Sequence, residues 1–105
     1  VEGFVFGGYM DLEKLRQEID AIDQEILELL NRRASLALSI GAIKRDCGKP
    51  VRSPDRERAI LDRLRQLSKG PLSERAVVGL FSLIIAETRS LEGAMGEAAP
   101  KEKGP

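Results

Sequence analysis

Arg33 stands where the surrounding pattern asks for a hydrocarbon. Leu12, Leu15, Ile19, Ile22, Ile26 and Leu29 precede it, and Leu36, Ile40 and Ile43 follow it, in steps of three and four. That is the register of one helix face buried against partner helices. A guanidinium taken out of water costs several kcal/mol unless an anion meets it, so a seam arginine implies a partner carboxylate or an anionic ligand. Lys44 comes eleven residues later, three turns on and about 16 Å along the axis, on nearly the same face. Two long basic side chains leaning together across that gap suit a small dicarboxylate, whereas a polyanion would need a wider basic surface. Arg16 precedes Arg33 by seventeen residues, about 25 Å and roughly 100° away, so a second subunit supplies it to the same ligand more easily than this chain does.

Further along, Arg56 and Glu57 add a donor and an acceptor near a helix N-terminus, and Thr88 and Glu92, at i and i+4, share a helix face. Together these residues would make a polar pocket inside a helical bundle. Spacing alone leaves plainer alternatives open. Arg33 also suits a structural interhelical ion pair, Lys44 a snorkelling surface lysine, and Arg16 and Arg56 solvated charges. Glu57 suits a first-turn acid that compensates the helix dipole, Thr88 a core-facing residue, and Glu92 an exposed acid near a helix end. The chain has no histidine, which removes the commonest general base and excludes Ser-His-Asp, Cys-His and His-ligated zinc chemistry. Catalysis must come from arginine, lysine and carboxylates, and neither metal nor cofactor is expected.

The 105 residues suffice for one domain, and 17 Lys+Arg against 17 Asp+Glu give zero formal charge, which does not suggest nucleic-acid binding. Hydrophobic residues make up 42% of the chain, with three Phe and one Tyr as the only aromatics, a composition that favours an all-α core. No run approaches the roughly 18 to 20 apolar residues that span a bilayer, and no charged-then-apolar leader is visible, so a cytoplasmic location is expected. The lone Cys47, beside Gly48, has no intramolecular partner and reads as an inert thiol.

Three helices should position these side chains. Residues 1–10 read as a disordered tail or a remnant of expression, with Met10 resembling a natural start. The first helix runs from Asp11 to about Asp46 and is ended by Gly48 and Pro50. Ser53 reads as the N-cap of the second, with Pro54 at its first position and Asp55 and Glu57 in its first turn, and this helix reaches about Ser68. Lys69-Gly70-Pro71 stops it, and Ser73 caps a third whose apolar positions are Val77, Leu80, Phe81, Ile84, Ile85, Leu91 and Met95, fading near Gly93 or Gly96. The domain spans 11–95, and 96–105 is polar, with the character of a disordered tail or linker. A first helix of about 35 residues would be roughly 50 Å long, while a globule of this size is only about 30 Å across. Either the helix breaks at Gly41 or a second copy covers the seam in an interlocked homodimer, and the second alternative is the expectation.

The segments LEKLRQEIDAIDQEILELLNRR, SIGAIKR, PVRSPDRERAIL and LFSLIIAETRSLE resemble, in that order, the all-helical class of chorismate mutases, closest to the mutase domains found alone or fused to prephenate dehydratase in bacteria. The resemblance covers about residues 11 to 95 and implies an intertwined homodimer of three-helix chains acting in phenylalanine and tyrosine biosynthesis. It implies that Arg16 reaches the partner's site and that Arg33 binds a substrate carboxylate in its own chain. Lys44 would contact a carboxylate and the ether oxygen, Arg56 would support the pocket, and Glu57 would accept the hydrogen bond of the ring hydroxyl. Thr88 would sit near a carboxylate and Glu92 would be the second donor to the ether oxygen. Ser53 stands where some members have Asp, at a contact made by backbone. A prephenate dehydratase, fused or associated, is the partner protein the resemblance suggests.

The reaction so implied is a unimolecular Claisen rearrangement, in which the ether carbon–oxygen bond breaks as a carbon–carbon bond forms. It needs no nucleophile and no obligatory proton transfer, so a histidine-free site suffices. Glu92 must be protonated to donate to the ether oxygen, because an ionised carboxylate only accepts. Two competing readings are an isochorismate pyruvate lyase, which shares the fold and much of the cationic pocket, and a non-catalytic helical dimer that binds an aromatic metabolite or a partner enzyme.

Overall fold

Forty residues without an internal proline form the first helix, α1, Gly8–Cys47. The computed structural model of the chain describes the backbone of residues 8–97 and the side chains of residues 11–94. Of the expected tails, 1–10 and 96–105, residues 1–7 and 98–105 lie outside those described residues, as does the side chain of Met95, whereas residues 8–10 and 96–97 are helical rather than disordered. The helix begins three residues before Asp11 and does not break at Gly41, which is buried within it.

Gly48 ends α1, as its sequence position suggests. Its φ of 71° is left-handed, a conformation that costs glycine little. The Gly48 amide donates to the Arg45 carbonyl at 3.2 Å and the Lys49 amide donates to the Lys44 carbonyl at 2.9 Å, the paired bonds of a Schellman stop. Pro54 opens α2, Pro54–Leu67. Ser53 holds the N-cap position, but its hydroxyl makes no capping bond. Its carbonyl instead accepts the Glu57 amide at 3.0 Å, so the expected cap is right in place and wrong in mechanism. After Gly70, also left-handed at φ 84°, the Ser73 hydroxyl accepts the Ala76 amide at 3.0 Å and caps α3, Glu74–Glu97. The third helix thus passes both glycines at which it was expected to fade.

The chain divides into two units, with the boundary between Arg33 and Ala34. In the first, the described residues are one stretch of α1, and its row Leu12, Leu15, Ile19, Ile22, Ile26 and Leu29 is exposed. In the second, α2 and α3 pack on each other, and the buried hydrophobic side chains are Ala37, Ile60, Val77 and Ile85. The part of α1 in this unit buries Ala37 and Gly41, while Leu36, Ile40 and Ile43 are exposed. The expected seam is therefore not what this chain buries by itself. No strand occurs among the described residues, and no helix among them is long and apolar enough to cross a membrane.

Candidate active site

Lys44 follows Ala37 and Gly41 at i+7 and i+3, on the face of α1 that the second unit buries. The two small residues before it leave its stem a covered path, and the Gly48 stop turns the following chain back past it. Its Nζ donates to the Val51 carbonyl at 2.7 Å and to Glu92 Oε1 at 2.9 Å. Glu92 is 8% exposed. A carboxylate so far from water is costly unless a cation meets it, and the Lys44 ammonium does so at charge-assisted distance.

Glu57, in the first turn of α2, forms the second centre. Its Oε2 accepts from Arg89 Nε at 3.1 Å and its Oε1 from Arg52 Nη2 at 3.5 Å. The α2 N-terminus adds its own favourable field for a carboxylate there. Chain neighbours tie the two centres together. Val51 holds Lys44 while Arg52 reaches Glu57, and Arg89 lies three residues before Glu92 on α3. The end of α1, the 48–53 loop, the start of α2 and the last turns of α3 thus share one polar network.

Of the remaining sequence-predicted residues, Thr88 is half-buried one turn before Glu92, and its hydroxyl donates to the Ile84 carbonyl at 2.9 Å. Ser53 is half-buried and Arg56 is exposed. Arg16 and Arg33 belong to the first unit, where Arg16 is exposed and Arg33 half-buried. Sequence reasoning missed Val51, Arg52 and Arg89. A backbone acceptor leaves no trace in residue type, but Arg89 carried a signal, since it follows buried Ile85 by four on the inward face of α3. Among the described residues no group of three or more His, Cys, Asp or Glu side chains could hold a metal ion.

Against this geometry, the family model for chorismate mutase type II matches residues 15–93. The chain belongs to the type II chorismate mutase family. The match takes in every residue of the Lys44–Glu92 and Glu57–Arg89 centres together with Arg16 and Arg33. Among curated relatives, a bifunctional chorismate mutase/prephenate dehydratase from Aquifex aeolicus is 44% identical over 86 residues, covering 78% of this chain and 24% of its own length. A chorismate mutase from Methanocaldococcus jannaschii is 37% identical over 82 residues, covering 77% of this chain and 83% of its own. This family member thus spans about a quarter of the bifunctional relative and most of the Methanocaldococcus jannaschii one. The crystal structure of chorismate mutase from Helicobacter pylori in complex with prephenate superposes with a TM-score of 0.74 at 34% identity, over 83% of this chain and 94% of that one. The three-helix all-α fold is shared with that mutase.

Proposed function

We propose that this chain catalyses the rearrangement of chorismate to prephenate. The observation that carries the reading is the Lys44–Glu92 pair, a buried carboxylate and a fixed ammonium, in a member of a family whose solved relative is described with prephenate. An ammonium has three N–H donors. Two of those on Lys44 are taken by Val51 and Glu92, and the third is available to the ether oxygen of a bound substrate. Negative charge grows on that oxygen as the carbon–oxygen bond breaks, so a fixed donor there acts more strongly on the transition state than on the ground state. Glu92 pairs with Lys44 as a carboxylate in the free chain, and it would serve as the second donor only on taking up a proton at Oε2, with Oε1 still accepting from Lys44.

Arg33 binds one carboxylate and Arg16 of a second copy the other, holding the substrate in the compact geometry in which the new carbon–carbon bond forms. Glu57 accepts the ring hydroxyl's hydrogen bond, Thr88 and Arg56 support the carboxylate side, and the backbone at Ser53 completes the pocket. The exposed row from Leu12 to Leu29 supports an intertwined homodimer, because a row of six large apolar side chains facing water calls for a cover. The catalytic domain is 11–95, works in the cytoplasm and hands prephenate to a dehydratase, the activity to which the bifunctional relatives join theirs.

The test is an ultraviolet assay of chorismate consumption with chromatographic identification of the product, comparing the chain with Lys44→Ala. Prephenate formation lost in the variant is expected. Release of salicylate and pyruvate from isochorismate in a parallel assay would assign a lyase instead, and silence with both substrates would leave a binding role.

A further inference from the structure

The geometry points to Arg89 as the positioning residue of the substrate-hydroxyl site, acting through Glu57. This inference rests on the mutase reading above, in which Glu57 accepts the ring hydroxyl's hydrogen bond. Glu57 lies in α2 and Arg89 thirty-two residues later in α3, so their 3.1 Å bond joins two helices at the site rather than neighbours on one. Both side chains are partly withdrawn from water, Glu57 to 18% and Arg89 to 35% exposure. Arg52, the other cation on Glu57, is 60% exposed and at 3.5 Å, a weaker restraint that solvent screens. Arg89 is thus the principal group fixing the direction in which Glu57 points.

A free glutamate side chain rotates about three bonds, and an acceptor that must be oriented at the moment of binding loses part of the hydrogen bond's worth to that ordering. With Oε2 accepting from a guanidinium N–H, each carboxylate oxygen still keeps a lone pair for a ligand hydroxyl. The held carboxylate therefore selects a ligand carrying a hydroxyl donor at that point. The ring hydroxyl is not part of the bond broken or the bond formed, so Arg89 serves binding in the ground and transition states alike, and its loss appears in KM rather than kcat.

The experiment measures kcat and KM for chorismate in the full chain, in Arg89→Ala, Arg89→Lys and Glu57→Gln, and in the double variant Arg89→Ala/Glu57→Gln, with circular dichroism confirming helix content in each. Arg89→Ala is expected to raise KM about tenfold with kcat within about twofold, the scale of one charge-assisted hydrogen bond. Arg89→Lys recovers part of the loss, since it restores the charge without the planar Nε–H. In the Glu57→Gln background, Arg89→Ala is expected to cost less than about twofold more, because the neutral amide no longer draws the guanidinium and most of the positioning is already lost. Equal losses in both backgrounds, an unchanged KM in Arg89→Ala and Arg89→Lys, or a fall in kcat alone would overturn the assignment while leaving the mutase reading intact. Absence of chorismate turnover in the unmodified chain would overturn both. Should Arg89→Ala not fold, Arg89→Lys compared in the two backgrounds decides the matter by the same criterion.

Discussion

Lys44 Nζ lies 2.9 Å from Glu92 Oε1 and joins the last turn of α1 to the later half of α3. The bond does two things at once. It neutralises a buried carboxylate, and it fixes in one place the two groups proposed to meet the ether oxygen. With side chains only 20% and 11% exposed, the pair is insulated from the screening that makes surface ion pairs nearly worthless.

Lys44→Ala strips Glu92 of its cation. We expect a loss of about 2–3 kcal/mol in urea unfolding, because a buried charge is left uncompensated. The same variant should lose more than about a hundredfold in kcat/KM. The double variant Lys44→Met/Glu92→Leu separates the two effects, since apolar replacement of a buried pair is often neutral for stability. Its unfolding midpoint should recover while its activity stays lost, and recovery of both would remove the pair from the chemistry.

Donation from Glu92 requires a hydrogen on its side chain, and the amide of a glutamine carries one. Glu92→Gln should therefore keep kcat for chorismate within about tenfold of the parent, whereas Glu92→Ala, which removes the donor, should lose more than about a hundredfold. Steady-state kinetics of the two variants test it. Equal losses in both would take donation by Glu92 out of the mechanism.

If each site takes Arg16 from one copy and Lys44 from the other, two inactive variants complement. In a heterodimer of Arg16→Ala with Lys44→Ala one site carries both substitutions and the other neither. Random re-pairing of an equal mixture makes half the dimers mixed, so about a quarter of wild-type activity should return. Mixing after unfolding and refolding measures it. An inactive mixture, or a mass near the 11.5 kDa of one chain in sedimentation, would refute the shared site.

At Gly48 the test is conformational. A Cβ there meets nothing within 4 Å, yet φ is 71°, so Gly48→Ala costs only the strain of a left-handed alanine, about 1 kcal/mol. Urea denaturation should show a lower midpoint at unchanged slope. Gly48→Asn should cost less, because asparagine tolerates this region better than alanine.

The helix stops and starts were legible because they are local. Gly48 needs only its own φ, and Ser73 only an amide three residues on. Ser53 shows the limit of that reasoning, because residue type predicts the cap position without saying whether the hydroxyl or the carbonyl takes the bond. The contact of Lys44 with Glu92 spans forty-eight residues, so spacing could place each on a helix face but not bring them together, and only the family resemblance put both at one oxygen. Arg89 follows Ile85 by four on the inward face of α3 but was passed over, because the acid it meets, Glu57, lies thirty-two residues earlier on α2. The apolar row of α1, interrupted at Arg33, was legible from its spacing, but its side chains are exposed in this chain. Periodicity records that a face is to be covered and is silent about which chain covers it.

That uncovered row has a consequence during synthesis. Residues 12–29 leave the ribosome before α2 or α3 has been made, and their leucines and isoleucines remain exposed even when both are in place. If the proposed homodimer covers this row, each new copy passes through a sticky interval whose length is set by how soon it meets another molecule rather than by how fast it folds. At low expression that interval lengthens, and chaperones and proteases compete for the same row of side chains.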